Sequence, residues 1–469
     1  MSGRQIPWAW RPRFGLETAQ FGPFVSILTF LRVLGFVYFV AFVSFGVQAP
    51  GLVGSRGILP FGEYLNAVRG SLGSAAWRSV PTVLWLRPTD GALRAVWMAG
   101  AVCALAAVAG RWQRAALAVC LVLWLSLCSV GQDFLSFQWD LLLIEAGFLA
   151  VFADASAVRV WLFRWLAFRL MFFSGAVKLL SHDGAWRSLT ALGYHYETQP
   201  LPTPLAWYMH QLPMGFQKAS TAVVLFVELL VPFLFFAPKR VRHVAAYVTI
   251  GLQALIFATG NYTYFNILTV ALLMFLFIEP APRANAGKRH AAVSVALAAF
   301  IGVVSGLVCL ELFSVGLPPG GAELLRAVEP LRLVNSYGLF AVMTTTRPEI
   351  VVEGSDDGVN WLAYEFPYKP GDLRRSPPVV APHQPRLDWQ MWFAALGSYQ
   401  QNPWFVNFMV RLLQGEPSVL RLLRYNPFPK GPPRYVRARV YLYHFTRWGE
   451  RGWWRREDGG MYFPPVGMR

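Results

Sequence analysis

The chain has 469 residues, 55% of them hydrophobic and only 14% charged, with a mean hydropathy of +0.41. Soluble domains carry about 25% charged residues, so this composition excludes a disordered chain, a collagen and an ordinary soluble enzyme, and leaves an integral membrane protein with a large core. The net charge of +17 must therefore be read by where the bases lie, and not as a nucleic-acid signal.

A span needs about 20 apolar residues. Spans are predicted near 24–47, 91–109, 115–131, 137–152, 157–180, 218–237, 243–259, 263–278 and 291–316, about nine in all. The first is too long for a cleavable signal and lacks a small-residue cleavage site. Bases fall in alternate short segments: Arg4, Arg11 and Arg13; Arg111 and Arg114; Arg159; Lys239, Arg240 and Arg242; Arg283, Lys288 and Arg289. The short loops 132–136 and 260–263 carry none. This asymmetry predicts a cytoplasmic N-terminus. With nine spans, the long loops 48–90 and 181–217 and the tail fall on the opposite side, in a periplasm or an ER lumen. Only six of the 42 bases are lysine, a bias that hints at a GC-rich bacterial genome, so the membrane is a bacterial inner membrane on that reading and the ER membrane in a eukaryote. Cys103, Cys120, Cys128 and Cys309 sit in apolar runs without metal-ligand spacing and read as free, buried thiols.

The expected organisation is a multispan domain over 1–317 and an extracytoplasmic, mainly β domain over 318–469 with a helical insert. Ile350–Glu353 and Trp361–Phe366 flank an Asp-Asp-Gly turn and predict a hairpin. Tyr435–Phe445 alternates as a strand, and Trp389–Leu396 and Trp404–Leu413 read as helices.

Ionisable residues inside spans are costly and need partners. The fourth span holds Asp140 and Glu145, the fifth Arg164 and Arg169. A short turn near 155 makes the two spans an antiparallel hairpin. Equal depth then pairs Glu145 with Arg164, Asp140 with Arg169 and Asp133 with Lys178. Residues five apart differ by about 140° around a helix, so one acid is free to pair with another span, with Glu228 and Arg32 as the other available charges. Structural ion pairing and a polar catalytic cavity both stay open.

The densest polar chemistry follows the fifth span: Lys178, His182, Asp183, Trp186, Arg187, His195, Tyr196, Glu197 and Gln199, then a stiff stretch with proline at 200, 202 and 204. These groups read either as a site or as an interfacial belt whose histidines bond backbone. Asn335, Tyr337 and Arg347 read as seam packing or client contact. Asp356 and Asp357 read as a turn, and no metal site is expected. Asn261-Tyr-Thr263 fits the glycosylation sequon, in a loop too tight against the membrane for modification. No nucleophile elbow or zinc-protease motif occurs.

Several of these segments carry a family resemblance. Ser136-Phe-Gln-Trp-Asp-Leu-Leu-Leu-Ile-Glu-Ala-Gly147, the Tyr-His-Tyr-Glu-Thr-Gln-Pro-Leu-Pro stretch 194–202, Asn335-Ser-Tyr-Gly-Leu-Phe340 and Pro385-Arg-Leu-Asp-Trp-Gln-Met-Trp392 resemble lipase maturation factors. The resemblance runs from about 130 to 445. It implies a multispan protein with a luminal tail that assists folding or assembly of exported proteins, lipases among them, without a cofactor. A shorter similarity, Gly175-Ala-Val-Lys178 with Asp183 and Trp186, is to vitamin K-dependent gamma-glutamyl carboxylases. It implies an alternative: a membrane enzyme acting on a quinone-like lipid or an exported protein, with Lys178 as base and His182 and His195 beside it. The maturation factor would use Asp183, Trp186, Arg187, Tyr196, Gln199, Asn335, Tyr337 and Arg347, with tail tryptophans such as Trp389, Trp392 and Trp404, to meet clients. Its expected partners are membrane lipid and exported proteins, not nucleic acid.

Overall fold

The computed structural model describes residues 25–281 and 288–467. Arg4, Arg11, Arg13 and Arg283 lie outside the described residues, as does the side chain of Lys288. Among the described residues, nine helices make the passes between the two ends of the membrane domain: α1 (Ile27–Gly46), α2 (Asp90–Val108), α3 (Gln113–Val130), α4 (Gln138–Val151), α5 (Ala157–Leu180), α6 (Met214–Leu229), α7 (Lys239–Thr259), α8 (Phe265–Leu273) and α9 (Lys288–Leu312).

Among the described residues, seven helices are long and apolar enough to cross a bilayer alone, α6 with its helical continuation to Phe236; α4 and α8 are not. With 14 residues at 1.5 Å per residue, α4 is about 21 Å long, short of a hydrocarbon core of about 30 Å. The expectation of about nine spans thus resolves into seven bilayer-length helices and two short ones. The short ones are packed inside the protein: Leu142–Gly147 in α4 and Ala271–Leu273 in α8 are buried throughout. A helix sheathed by other helices does not have to match the bilayer thickness.

Contacts sort the connections into two ends. Gln113 Nε2 donates to Leu28 O and Ala107 O, Arg242 Nε to Leu276 O at 2.7 Å, and Ala281 N to Ala155 O at 2.8 Å. Phe30 stacks edge-on against Phe163 and Phe275, which ties the starts of α1 and α5 to the end of α8. The basic turns therefore share one end. At the other end Gln132 Nε2 donates to Leu59 O, Pro202 bridges to Gly260, and Ser44 Oγ meets His383 Nδ1 at 2.9 Å. The tail sits on that end.

The tail holds an antiparallel sheet of order β2-β1-β3-β4, with β1 Arg347–Ser355, β2 Leu362–Ala363, β3 Tyr435–Phe445 and β4 Trp454–Gly467. The expected hairpin is β1–β2, paired at Glu353 with Ala363. Its turn is set by Asp357, whose carboxylate accepts from Val359 N at 2.8 Å and Asn360 N at 2.7 Å, and these bonds hold it well below the usual carboxylate range. No third acid joins it, and among the described residues no cluster of His, Cys, Asp or Glu has a metal-binding arrangement. Strand β4 was not expected: Gly459, Gly460, Pro464 and Pro465 break the alternation, which an edge strand tolerates. Helices α10 (Arg386–Ala395) and α11 (Pro403–Leu413) form the insert. The four cysteines are free, Cys120 and Cys128 buried and the other two partly exposed.

Candidate functional site

The seam between membrane helices and tail holds most of the buried charge. Near the start of α4, Asp140 meets Arg386 of α10 in a two-pronged pair, Nη1–Oδ2 2.9 Å and Nη2–Oδ1 3.0 Å, with neither side chain exposed. Tyr264 Oη donates to Asp140 at 2.6 Å, and Arg386 Nη1 also donates to Phe134 O. Further along α4, Glu145 pairs with Arg169 and accepts from Tyr337 Oη at 2.6 Å, Asn335 N at 3.1 Å and Asn335 Nδ2 at 3.3 Å. Arg169 Nη1 closes the circuit on Asn335 O.

These partners correct the equal-depth pairing. Helical side chains tilt toward their own N-terminus, so in this antiparallel pair the α4 acids lean away from the connecting turn and the α5 bases lean toward it. Glu145 therefore meets Arg169, five residues beyond Arg164, an axial offset of about 8 Å. The same offset from Asp140 reaches only Ser174, so its base comes from the tail. Among the described residues Arg164 is in no ion pair: its Nε and Nη2 donate to Phe275 O at 3.0 Å and Ile278 O at 2.7 Å, at the C-terminal end of α8, where unpaired carbonyls favour a cation.

Lys178 does not meet Asp133. Its Nζ pairs with Glu228 of α6 at 2.6 Å, donates to Ser174 O at 2.9 Å and lies 5.2 Å from the Trp186 ring centre. Beside it the segment after the last span is pinned residue by residue. Trp186 Nε1 donates to Phe340 O at 2.8 Å, Ser181 Oγ to Ala341 O, and Met343 N to Asp183 Oδ2. Asp183 also caps the short helix 184–187 through Ala185 N and Trp186 N. Gln138 exchanges two bonds of 2.9 Å with the backbone of Gly338, where a Cβ would come 2.7 Å from Val177.

The remaining expected site residues are fasteners too. Arg347, fully buried, donates to the carbonyls of Glu197, Gln199 and Pro200 and pairs with Glu349 at 2.7 Å. Gln199 bonds Thr259 O and accepts from Tyr262 Oη at 2.9 Å. Tyr196 is buried among Leu192, Ala206 and Trp207. Gln199, Tyr337 and Arg347 thus have no surface left for a client. Trp404 is buried in the core as well. Only His182 and Arg187, bonded to each other, are exposed. The sequon Asn261 is 2% exposed; it donates to Pro378 O and accepts from Val380 N and Ala381 N, so it clamps the tail rather than awaiting a glycan.

His195 Nε2 lies 3.2 Å from Tyr262 Oη, and Nδ1 has no hydrogen-bond partner among the described residues. Burial, with the nearby charge of Lys178, pushes its pKa from 6.5 down to about 4. A base whose folded pKa is depressed stays neutral in the fold while the unfolded chain takes up protons, so stability is lost as pH falls below about 6.5. The wild type is expected to lose about 1–2 kcal/mol more than His195→Gln between pH 7.5 and pH 5, read as the gap between their thermal unfolding midpoints.

A cleft of about 580 Å³ opens at the seam between the start of α4, the 338–344 segment and α10. An unbroken chain of ring contacts borders it: Phe393–Phe137, Phe137–Trp389, Trp389–Tyr262 and Tyr262–Phe340, with centres 5.8 to 6.0 Å apart. Residue-by-residue reading of the sequence did not join these rings; the clue was the aromatic density of 134–139 beside that of 389–393.

The fold and site define a multispan membrane protein whose sheet-bearing tail is bolted to its helices by buried ion pairs around an aromatic cleft. Residues 26–281 match the lipase maturation factor transmembrane domain and 333–464 the lipase maturation factor C-terminal domain. Lipase maturation factor 2 of Gallus gallus and of Homo sapiens are each 38% identical to the chain, over 94% of it and 81% and 82% of their own lengths. Lipase maturation factor 1 of Mus musculus is 34% identical over 96% of the chain and 88% of its own. The chain belongs to the lipase maturation factor family. No solved structure matches it.

Proposed function

We propose that this chain is a membrane-embedded maturation factor that assists folding or assembly of exported proteins, lipases among its clients. The observation that carries the reading is the aromatic cleft, which lies at the end of the molecule that also holds the tail, opposite the basic turns. The positive-inside rule assigns the basic end to the cytoplasm and the cleft to the exported side, which is the periplasm in a bacterium and the ER lumen in a eukaryote. The test is co-expression of a secreted lipase with and without the chain: the ratio of lipase activity to secreted lipase protein falls when the chain is missing. An unchanged ratio for every lipase tried counts against the reading.

The comparisons lend the carboxylase-like alternative no support, and the structure gives Lys178 a structural partner. The pair makes a separate prediction. Lys178→Met leaves Glu228 as an unpaired, nearly buried carboxylate and is expected to cost about 2–3 kcal/mol, whereas Lys178→Met with Glu228→Gln regains most of it. Under the maturation reading the double variant keeps lipase-maturing activity. Activity lost in a double variant of normal thermal stability would revive the amine as a base.

A further inference from the structure

The aromatic cleft has a chemistry more specific than apolar. It is bordered by the rings of Phe137, Trp139, Tyr262, Trp389, Trp392 and Phe393; among the described residues its one acidic side chain is Asp133, exposed at the edge, and no lysine or arginine lines it. The Asp133 carboxylate takes part in no ion pair among the described residues; it accepts only from its own backbone N–H, while its backbone carbonyl accepts from Gln390. On the rim, Phe393 of α10, Leu396 just past its C-terminal end and Val342 of the facing segment are 43%, 44% and 64% exposed.

We infer that this cleft binds an extended peptide segment of an exported client that carries a large apolar side chain next to lysine or arginine. The inference rests on the maturation reading and names its ligand. The rings take the apolar side chain and offer their faces to the neighbouring cation. The Asp133 carboxylate at the mouth attracts that cation and repels the phosphate or carboxylate head of an anionic lipid. The rim residues Val342, Phe393 and Leu396 extend the contact along the segment.

The test uses the full chain in phosphatidylcholine nanodiscs and two fluorescent nine-residue peptides of Leu, Phe and Arg, one of them with every Arg replaced by Glu. The expected result is that the basic peptide binds about tenfold more tightly than the acidic one, measured by anisotropy against empty nanodiscs. Asp133→Asn brings the two affinities within about threefold. Phe393→Ser with Leu396→Ser weakens the basic peptide about tenfold. These positions are exposed, and an unchanged thermal midpoint shows that each variant is folded. Equal binding of the two peptides to the wild type overturns the inference. So does an absence of peptide binding accompanied by a lipid that co-purifies with the wild type and is lost from Phe393→Ser with Leu396→Ser, an outcome that assigns the cleft to lipid. The readout is peptide binding and not lipase activity, so failure here is distinct from failure in the co-expression test.

Discussion

Arg386→Leu is expected to cost about 3–5 kcal/mol of stability, because it leaves the Asp140 carboxylate buried without its counter-charge. Asp140 and Arg386 are both fully buried and joined by two parallel hydrogen bonds, a geometry that is lost as a unit. The substitution also removes the donor to Phe134 O and the guanidinium close to the Phe45 and Trp124 rings, at 5.6 and 5.8 Å. The loss should appear as a large drop in the thermal unfolding midpoint of the detergent-solubilised protein. Asp140→Asn combined with Arg386→Met should be much less damaged than Arg386→Leu alone. The amide still accepts from Tyr264, and the unbranched apolar side chain fills the guanidinium's place without a charge to neutralise. A single variant within about 0.5 kcal/mol of wild type, the range of an ordinary surface change, would mean that the pair does not fasten the tail.

That pair also shows where sequence reasoning stops. The two acids of α4 stood out because charge is rare in apolar spans, and the hairpin between α4 and α5 confined the search for bases. Tilt along the helix decided that Glu145 takes Arg169. The base for Asp140 came from residue 386, and no periodicity in a chain brings two residues so far apart in sequence together. Lys178 likewise found Glu228 on a helix reached only after the 181–217 loop. Strands β1 and β3 were legible because alternation survives in Ile350–Glu353 and Tyr435–Phe445; β4 was not, because its glycines and prolines look like a loop until β3 supplies the pairing. The cleft was hidden for the same reason as Asp140–Arg386, since its two walls come from 133–139 and 389–396.

Glu145→Leu should be about as damaging as Arg386→Leu, at about 3–5 kcal/mol, and its effect should spread differently. Glu145 is the common acceptor for Arg169, Tyr337 and Asn335, so its loss strands the fully buried Arg169 and unpins the segment that follows α9. That segment continues as 338–344 into one wall of the cleft. Limited proteolysis should therefore cut the variant between 332 and 346 at protease levels that leave the wild type intact. Glu145→Gln keeps an acceptor for Tyr337 but not the charge, and should fall between the two, near 1–3 kcal/mol. Glu145→Leu with Arg169→Met removes the stranded cation and should recover stability while the segment stays open to protease, because Asn335 and Tyr337 still lack their acceptor. Recovery of both together would place the hold on this segment elsewhere, in the Gln138–Gly338 bonds or the Trp186–Phe340 bond.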